Sequence, residues 1–285
     1  LLASSAASDV YKRQPSDPEP TVWQKILDKV DKTQQIAQSV RDDADAGRFA
    51  ASPEMVEQAV SVYIQAALSP EMHRNIFRGQ CLGESITEEQ LAAIRDGSFR
   101  DLFIGDYWEI NGTKYRIADI NYWRNVGYPE SEKVQKPHAL IVPDTTLGSG
   151  QMNTGNSTAG GYRNSSMKAA RLVQIANSLP DAFKNILISH RMFSDGSWFT
   201  TSVDLMNEVM VHGTYICADN NNKQTSDAQQ LALFRLAPEL KAIGVNYWLR
   251  NVAGSQTYTL ISQYGDTSSD MATSTYGIRP VFAIG

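Results

Sequence analysis

The stretch Asp101-Leu102-Phe103-Ile104-Gly105-Asp106-Tyr107-Trp108-Glu109-Ile110-Asn111-Gly112-Thr113-Lys114-Tyr115-Arg116-Ile117-Ala118-Asp119-Ile120 decides the fold class. Two runs rich in β-branched and aromatic residues flank Asn111-Gly112. That dipeptide adopts the left-handed backbone of a tight two-residue turn and is the strongest short-range hairpin signal. A strand over 102–110 and a second over 113–123 are therefore expected. Just upstream, Thr87 followed by Gln90 is a capping box, which opens a short helix that Gly97 closes. Helix and antiparallel sheet thus lie side by side, and the class is α+β.

Working outward, His138 to Val142 reads as a strand. Residues 143–161 are rich in Gly, Ser, Thr and Asn and form a long surface loop; loops of that length in compact domains usually carry function. Residues 164–177 place Met167, Ala170, Leu172, Val173 and Ile175 as an amphipathic helix. Strands over 186–193 and 198–201 flank the turn Ser194-Asp195-Gly196, and the apolar run 203–211 reads as a further helix. Asp219 to Lys223 is a polar loop. Toward the carboxyl end, strands are expected at Tyr247–Arg250, Thr257–Gln263 and Gly277–Ile284. Asn121-Tyr122-Trp123-Arg124-Asn125-Val126 recurs as Asn246-Tyr247-Trp248-Leu249-Arg250-Asn251-Val252 with one inserted Leu, which suggests two similar strands that each bury a Trp.

On the amino-terminal side, residues 21–46 lack Gly and Pro. Trp23, Ile26, Val30, Ala37 and Val40 are spaced to form a narrow apolar seam on a helix. Such a seam suits an oligomerising stalk, with a helix lying on the globular domain as the alternative. Gly47 ends it, and Ser52-Pro53-Glu54 starts a second helix that runs to about Leu68. The domain division is then a disordered leader over 1–20, a helical stalk over 21–80, and a globular domain over 81–285. Leu1 to Gln14 resembles a string that recurs at the ends of translated metagenomic contigs, so the leader is taken as non-native.

Composition narrows the function. The chain has 285 residues, 42% of them hydrophobic and 20% charged, as expected of a folded protein. Its formal charge of −5 lacks the basic face of a nucleic-acid binder, so no nucleic acid is expected as partner. No apolar run is long enough for membrane insertion, and no signal peptide is visible. Cys81 and Cys217 lack metal-site spacing and read as two buried thiols rather than a disulfide. His73, His138, His190 and His212 are scattered, Gly155-Asn156-Ser157-Thr158-Ala159 lacks the last Gly of a nucleophile elbow, and Asp219–Lys223 lacks the glycine of a calcium loop. No catalytic residue, metal ligand or cofactor is assigned.

Several segments carry a resemblance. Phe77-Arg78-Gly79, Leu82-Gly83, Ile86-Thr87-Glu88-Glu89-Gln90, Asp101 to Trp108 and Tyr115 to Asp119 resemble an uncharacterised domain family of Firmicutes and their phages. The ending, Tyr247-Trp248-Leu249-Arg250 followed by Tyr276-Gly277-Ile278-Arg279-Pro280-Val281-Phe282-Ala283-Ile284, is similar to the C-type lectin-like domains of phage tropism determinants and of diversity-generating retroelement variable proteins. The resemblance implies a C-type lectin-like domain behind a coiled-coil-like helical extension, with Trp248 and Arg279-Pro280 as scaffold and an exposed binding face between them. The composition of 251–275, mostly Asn, Ser, Thr, Gln, Tyr, Asp and Gly, suits such a face, because Tyr gives rigid contact area and short polar side chains give adaptable hydrogen bonds. The ligand-binding residues expected are Asn246, Tyr247, Asn251, Gln256, Tyr258, Ser262, Tyr264, Asp266, Ser268 and Asp270, with Tyr258 and Tyr264 as anchors. The expected role is a receptor-binding protein of a phage virion or cell surface, a homotrimer whose partner is a host surface receptor, protein or glycan. A head-fibre or capsid decoration protein is the alternative. A formylglycine-generating type of enzyme is less in keeping with the sequence, since Cys81 and Cys217 do not form the cysteine pair it requires.

Overall fold

A computed structural model describes residues 69–219 and 225–285, together with scattered positions between 31 and 61. The chain divides into two compact units, Leu1–Ala67 and Leu68–Gly285. In the first, the described positions between Asp31 and Asp42 are helical and exposed, and Gln38 donates to Asp42 one turn on at 2.7 Å. The seam residues Trp23, Ile26, Val30, Ala37 and Val40, the helix start at Ser52-Pro53-Glu54 and the leader all lie outside the described residues.

The second unit is α+β. Among the described residues its strands are β1 (Cys81–Gly83), β2 (Tyr107–Ile110), β3 (Thr113–Ile120), β4 (Ala139–Pro143), β5 (Ser149–Gly150), β6 (His190–Ser194), β7 (Ser197–Thr201), β8 (Val203–Leu205), β9 (Tyr247–Val252), β10 (Thr257–Ile261), β11 (Thr267–Met271), β12 (Tyr276–Gly277) and β13 (Pro280–Ile284). They form a six-stranded sheet in the order β1-β2-β3-β4-β13-β8, a five-stranded sheet in the order β11-β10-β9-β12-β5, and the hairpin β6-β7. The unit begins ahead of Cys81: the guanidinium of Arg74 bonds the buried carboxylate of Asp119, and Phe77 bridges to Ile104.

The expected hairpin is present. Asn111 and Gly112 take φ of 52° and 75°, and Ile110 pairs with Thr113 on either side of them. The capping box is present too. Gln90 Oε1 accepts from the Thr87 backbone at 3.1 Å and from Trp108 Nε1 at 2.8 Å, which joins the helix Glu88–Arg95 to β2. The segment Val281 to Ile284 is buried at every position because β13 lies between β4 and β8 and is packed on both faces.

Four expectations are corrected. The run 203–211 is not one helix: Val203–Leu205 pairs with β13, and only Glu208–His212 is helical, after an Asn207 cap that accepts from Met210. An apolar run this short has no periodicity that separates buried strand from buried helix. Residues 267–271, read as loop, form the strand β11 at the sheet edge. The first copy of the Asn-Tyr-Trp repeat is a turn rather than a strand, with Asn121 at φ 55° and Asn125 at φ 62°, though Trp123 and Trp248 are both buried. Both cysteines are free, but Cys81 is exposed on the short edge strand β1 and Cys217 is half-buried.

The two copies of the repeat meet at one carboxylate. Trp123 Nε1 donates to Asp227 Oδ1 at 2.7 Å, and the Arg250 guanidinium pairs with Asp227 Oδ2. Arg250 and Asp227 are both essentially without solvent contact. This buried ion pair ties the middle of β9 to the loop before the helix Ala232–Leu236.

Candidate binding site

The five-stranded sheet carries most of the expected site, and its register decides which side chains are available. Strand β10 is internal, hydrogen-bonded along both edges to β9 and β11, and Tyr258 to Ile261 are buried. Tyr258, placed here as an anchor, is 0% exposed; Val252 lies beside it on β9 and Asp270 on β11. With no surface exposed, the ring serves as scaffold and is not open to a ligand, and the same burial pushes its phenol up to about 12. Tyr247 and Asn251 are scaffold for the same reason. The Tyr247 hydroxyl donates to Lys241 O at 3.0 Å, and Asn251 Oδ1 accepts from the Glu208 backbone at 2.8 Å, where it helps seat a helix.

Four of the other expected residues, Asn246, Ser262, Tyr264 and Asp266, come together at the end of the sheet where β10 turns into β11, while a fifth, Asp270, lies farther along β11 opposite Tyr258. Ser262 closes that turn: its hydroxyl accepts from the Tyr264 and Asp266 backbones at 3.2 and 3.3 Å, and its own N–H donates to Asp266 O at 2.7 Å. Gly265 supplies the left-handed position at φ 94°. The tip is bound to the neighbouring segment through Asn246, whose Oδ1 accepts from Gln263 N at 2.8 Å and whose carbonyl accepts from Gly277 N at 3.0 Å. Tyr264, held at the apex of this braced turn, is 77% exposed.

Beside the tip lies a groove of about 580 Å3, lined among others by Thr146, Val245, Asn246, Gln263 and Tyr276. Tyr276 packs edge-on against the buried Trp248 at 4.9 Å, and its hydroxyl donates to Asp270 Oδ2 at 2.5 Å. That hydrogen bond raises the Tyr276 pKa and holds the Asp270 carboxyl below the usual carboxylate value. Gly277 is required by close approach, since a Cβ there would lie 2.3 Å from Thr146 Cγ2. Val245 is 47% exposed and lines the groove as an apolar residue, and Gln263 in the lining is the chain neighbour of the exposed Tyr264.

The remaining two expected residues are apart from this groove. Ser268 is exposed along β11, and Gln256 lies in the β9–β10 turn at the opposite end of the sheet. Sequence reading missed Thr146, Val245, Gln263 and Tyr276. Thr146 belongs to the long polar loop that had been marked as functional only as a whole. Tyr276 lies between Trp248 and Arg279, within the face that the resemblance implies, but outside the polar run 251–275 from which the expected residues were taken. No signal in the sequence singles out Val245.

Among the described residues, no group of three His, Cys, Asp or Glu side chains is placed to hold a metal ion, and no helix is long and apolar enough to cross a membrane. No family model, no curated protein and no solved structure matches the chain, so this groove is identified by its geometry alone.

Proposed function

We propose that the chain is a ligand-binding protein of a phage virion or displayed surface, with a C-type lectin-like carboxyl-terminal domain that contacts a host receptor through the groove and hairpin tip around Asn246, Gln263, Tyr264 and Tyr276. The observation that carries this reading is Tyr264, a large amphipathic side chain exposed at 77% on a turn braced by three backbone hydrogen bonds through Ser262 and Asp266. An aromatic held ready on a rigid turn loses little conformational freedom on binding, which favours a contact anchor. Polar groups fixed at the tip and along the groove, Asn246 on Gln263 N and Tyr276 on Asp270, suit a specific protein or glycan surface.

The lectin-like reading draws support from Trp248 and Arg279. The resemblance implies that both are scaffold, and both are buried, with Trp248 donating to Gly150 O at 2.9 Å and Arg279 to Pro143 O at 2.8 Å. A trimer on the amino-terminal helices would multiply weak single contacts through effective concentration. Sedimentation equilibrium of the full chain reads the stoichiometry, and a monomer removes the trimer from the proposal.

The receptor experiment uses the full chain, fluorescently labelled, on a panel of Firmicutes cells. Saturable retention on at least one strain is expected, falling at least tenfold in Tyr264→Ala while Tyr258→Phe retains it. No saturable retention on any strain, or equal retention by Tyr264→Ala, overturns the reading.

A further inference from the structure

At the opposite end of β9 from the Asn246 groove, a second cleft of about 540 Å3 opens where Val252 leads into the β9–β10 turn. Five residue steps along the strand put the two openings about 17 Å apart. Three segments distant in sequence build this cleft: the loop 158–164, the β6–β7 turn at Asp195-Gly196, and the β9–β10 turn at Gly254-Ser255. They are fastened to one another. Thr158 N and Oγ1 donate to Ser255 O at 3.0 Å and Gly254 O at 2.8 Å, and Tyr162 N donates to Asp195 Oδ2 at 2.9 Å. Gly161, at φ 68°, makes the junction with Asp195 possible, because a Cβ there would lie 2.4 Å from Asp195 Cγ.

The wall chemistry narrows the ligand. Arg163, Asn164, Asp195, Ser197, Asp219 and Ser255 supply one guanidinium, one amide, two carboxylates and two hydroxyls. Arg163 uses Nη1 on Ser197 Oγ at 3.0 Å, and its other N–H groups make no hydrogen bond among the described residues. Asp195 accepts from Tyr162 and Ser194 through Oδ2, and its Oδ1 makes no hydrogen bond among the described residues. An anion in the cleft would meet two carboxylates, and a cation would meet Arg163. An apolar molecule would strip water from charged groups and return no hydrogen bonds, leaving each of those groups unsatisfied. A neutral ligand with several hydroxyls satisfies both kinds of wall, since each hydroxyl donates to a carboxylate and accepts from the guanidinium or amide.

We propose that the Arg163–Asp195 cleft binds one neutral pyranose ring of a glycan. The inference is independent of the receptor groove and uses none of its residues. The described lining offers no aromatic ring for the sugar's C–H face to stack on, so a single ring is expected to bind at millimolar concentration.

Saturation-transfer difference NMR of the full chain with methyl glucoside, methyl galactoside and methyl N-acetylglucosaminide tests this, with glycine as a zwitterionic probe that also offers both charge signs. Transfer is expected from at least one glycoside. It should drop at least fivefold in Arg163→Gln, an exposed position where folding is insensitive to the change, and in Asp195→Asn, which keeps the acceptor for Tyr162 N. Tyr264→Ala should leave the signal unchanged. No transfer from any of the three glycosides, transfer retained in both cleft variants, or transfer from glycine alone overturns the proposal; loss in Tyr264→Ala but in neither cleft variant moves sugar binding to the groove and overturns it equally.

Discussion

The residues that decide this molecule are those whose chemistry reads one way in sequence and another in the fold. Tyr258 and Tyr264 both sit in a polar, Tyr-bearing stretch, and composition cannot separate them. The fold separates them by position: Tyr258 is on an internal strand at 0% exposure and Tyr264 at a hairpin apex at 77%. The charged residues show the same divergence. Asp227 follows a polar loop and looks like a solvated surface carboxylate, yet it is buried between Arg250 and Trp123. Removing one member of such a pair leaves the other charge buried without compensation, which typically costs about 3–5 kcal/mol. Asp227→Ala should therefore lower unfolding stability by about that amount, read as a reduced urea midpoint at unchanged slope. Asp270→Ala removes a carboxylate close to solvent and should lower unfolding stability by no more than about 1 kcal/mol. A loss in Asp227→Ala as small as that in Asp270→Ala would remove the buried pair from the set of interactions that hold β9 in place.

At the level of elements, legibility followed the strength of local signals. The Asn111-Gly112 hairpin and the Thr87–Gln90 capping box were readable because the turn and the cap each demand particular residue types within a few positions. The strand β11 was not readable. Thr267-Ser268-Ser269-Asp270-Met271 is polar at all but its last position because it lies at the sheet edge with little to bury, and its pairing is supplied by β10 from the other side of a turn. The groove and tip were legible in part for a related reason: Asn246, which lines the groove, and Ser262, Tyr264 and Asp266, which form the tip, come from one continuous stretch, while Thr146 lies where β5 pairs with β12. That pairing is tight at Gly277, where a Cβ would lie 2.3 Å from Thr146 Cγ2 and 3.1 Å from Asn246 O. Gly277→Ala should thus displace Thr146 into the groove and destabilise by about 1–3 kcal/mol, the usual cost of overpacking. Thr146→Ser removes the clashing methyl, so adding it to Gly277→Ala should recover part of the loss. In a double-mutant cycle this appears as a coupling of about 0.5 kcal/mol or more, and strict additivity would place the strain elsewhere.

Across the whole molecule, the four histidines share one electrostatic character that no sequence pattern announces. They are scattered at 73, 138, 190 and 212, and in each case burial is the largest influence and holds the pKa below the ordinary 6.5. The effect is greatest in two: His138 is lowered to about 4 and His190 to about 3. His190 stacks on Trp123 with ring centroids 3.5 Å apart, and neither ring nitrogen has a hydrogen-bond partner. His138 accepts from Trp123 N at 3.0 Å, a role only the unprotonated nitrogen can fill. Both imidazoles are therefore neutral in the fold, whereas in the unfolded chain they protonate near pH 6.5. Between about pH 6.5 and 4 the unfolded state binds more protons than the folded state, so stability rises with pH there and falls on acidification. The stabilisation is complete above about pH 6.5 and is lost as pH drops toward the folded-state values, at a limit of about 1.4 kcal/mol per pH unit for each histidine. Urea unfolding measured at steps from pH 7.5 to 4.5 should show a plateau followed by a decline that begins near 6.5, well above the range where ordinary carboxylates titrate. His190→Gln should flatten the decline by up to one proton's slope, whatever the variant's stability at pH 7.5. A flat profile down to pH 4.5 would mean that the imidazoles at 138 and 190 protonate in the fold as readily as in the open chain, which a ring enclosed against Trp123 without a hydrogen-bond partner does not allow.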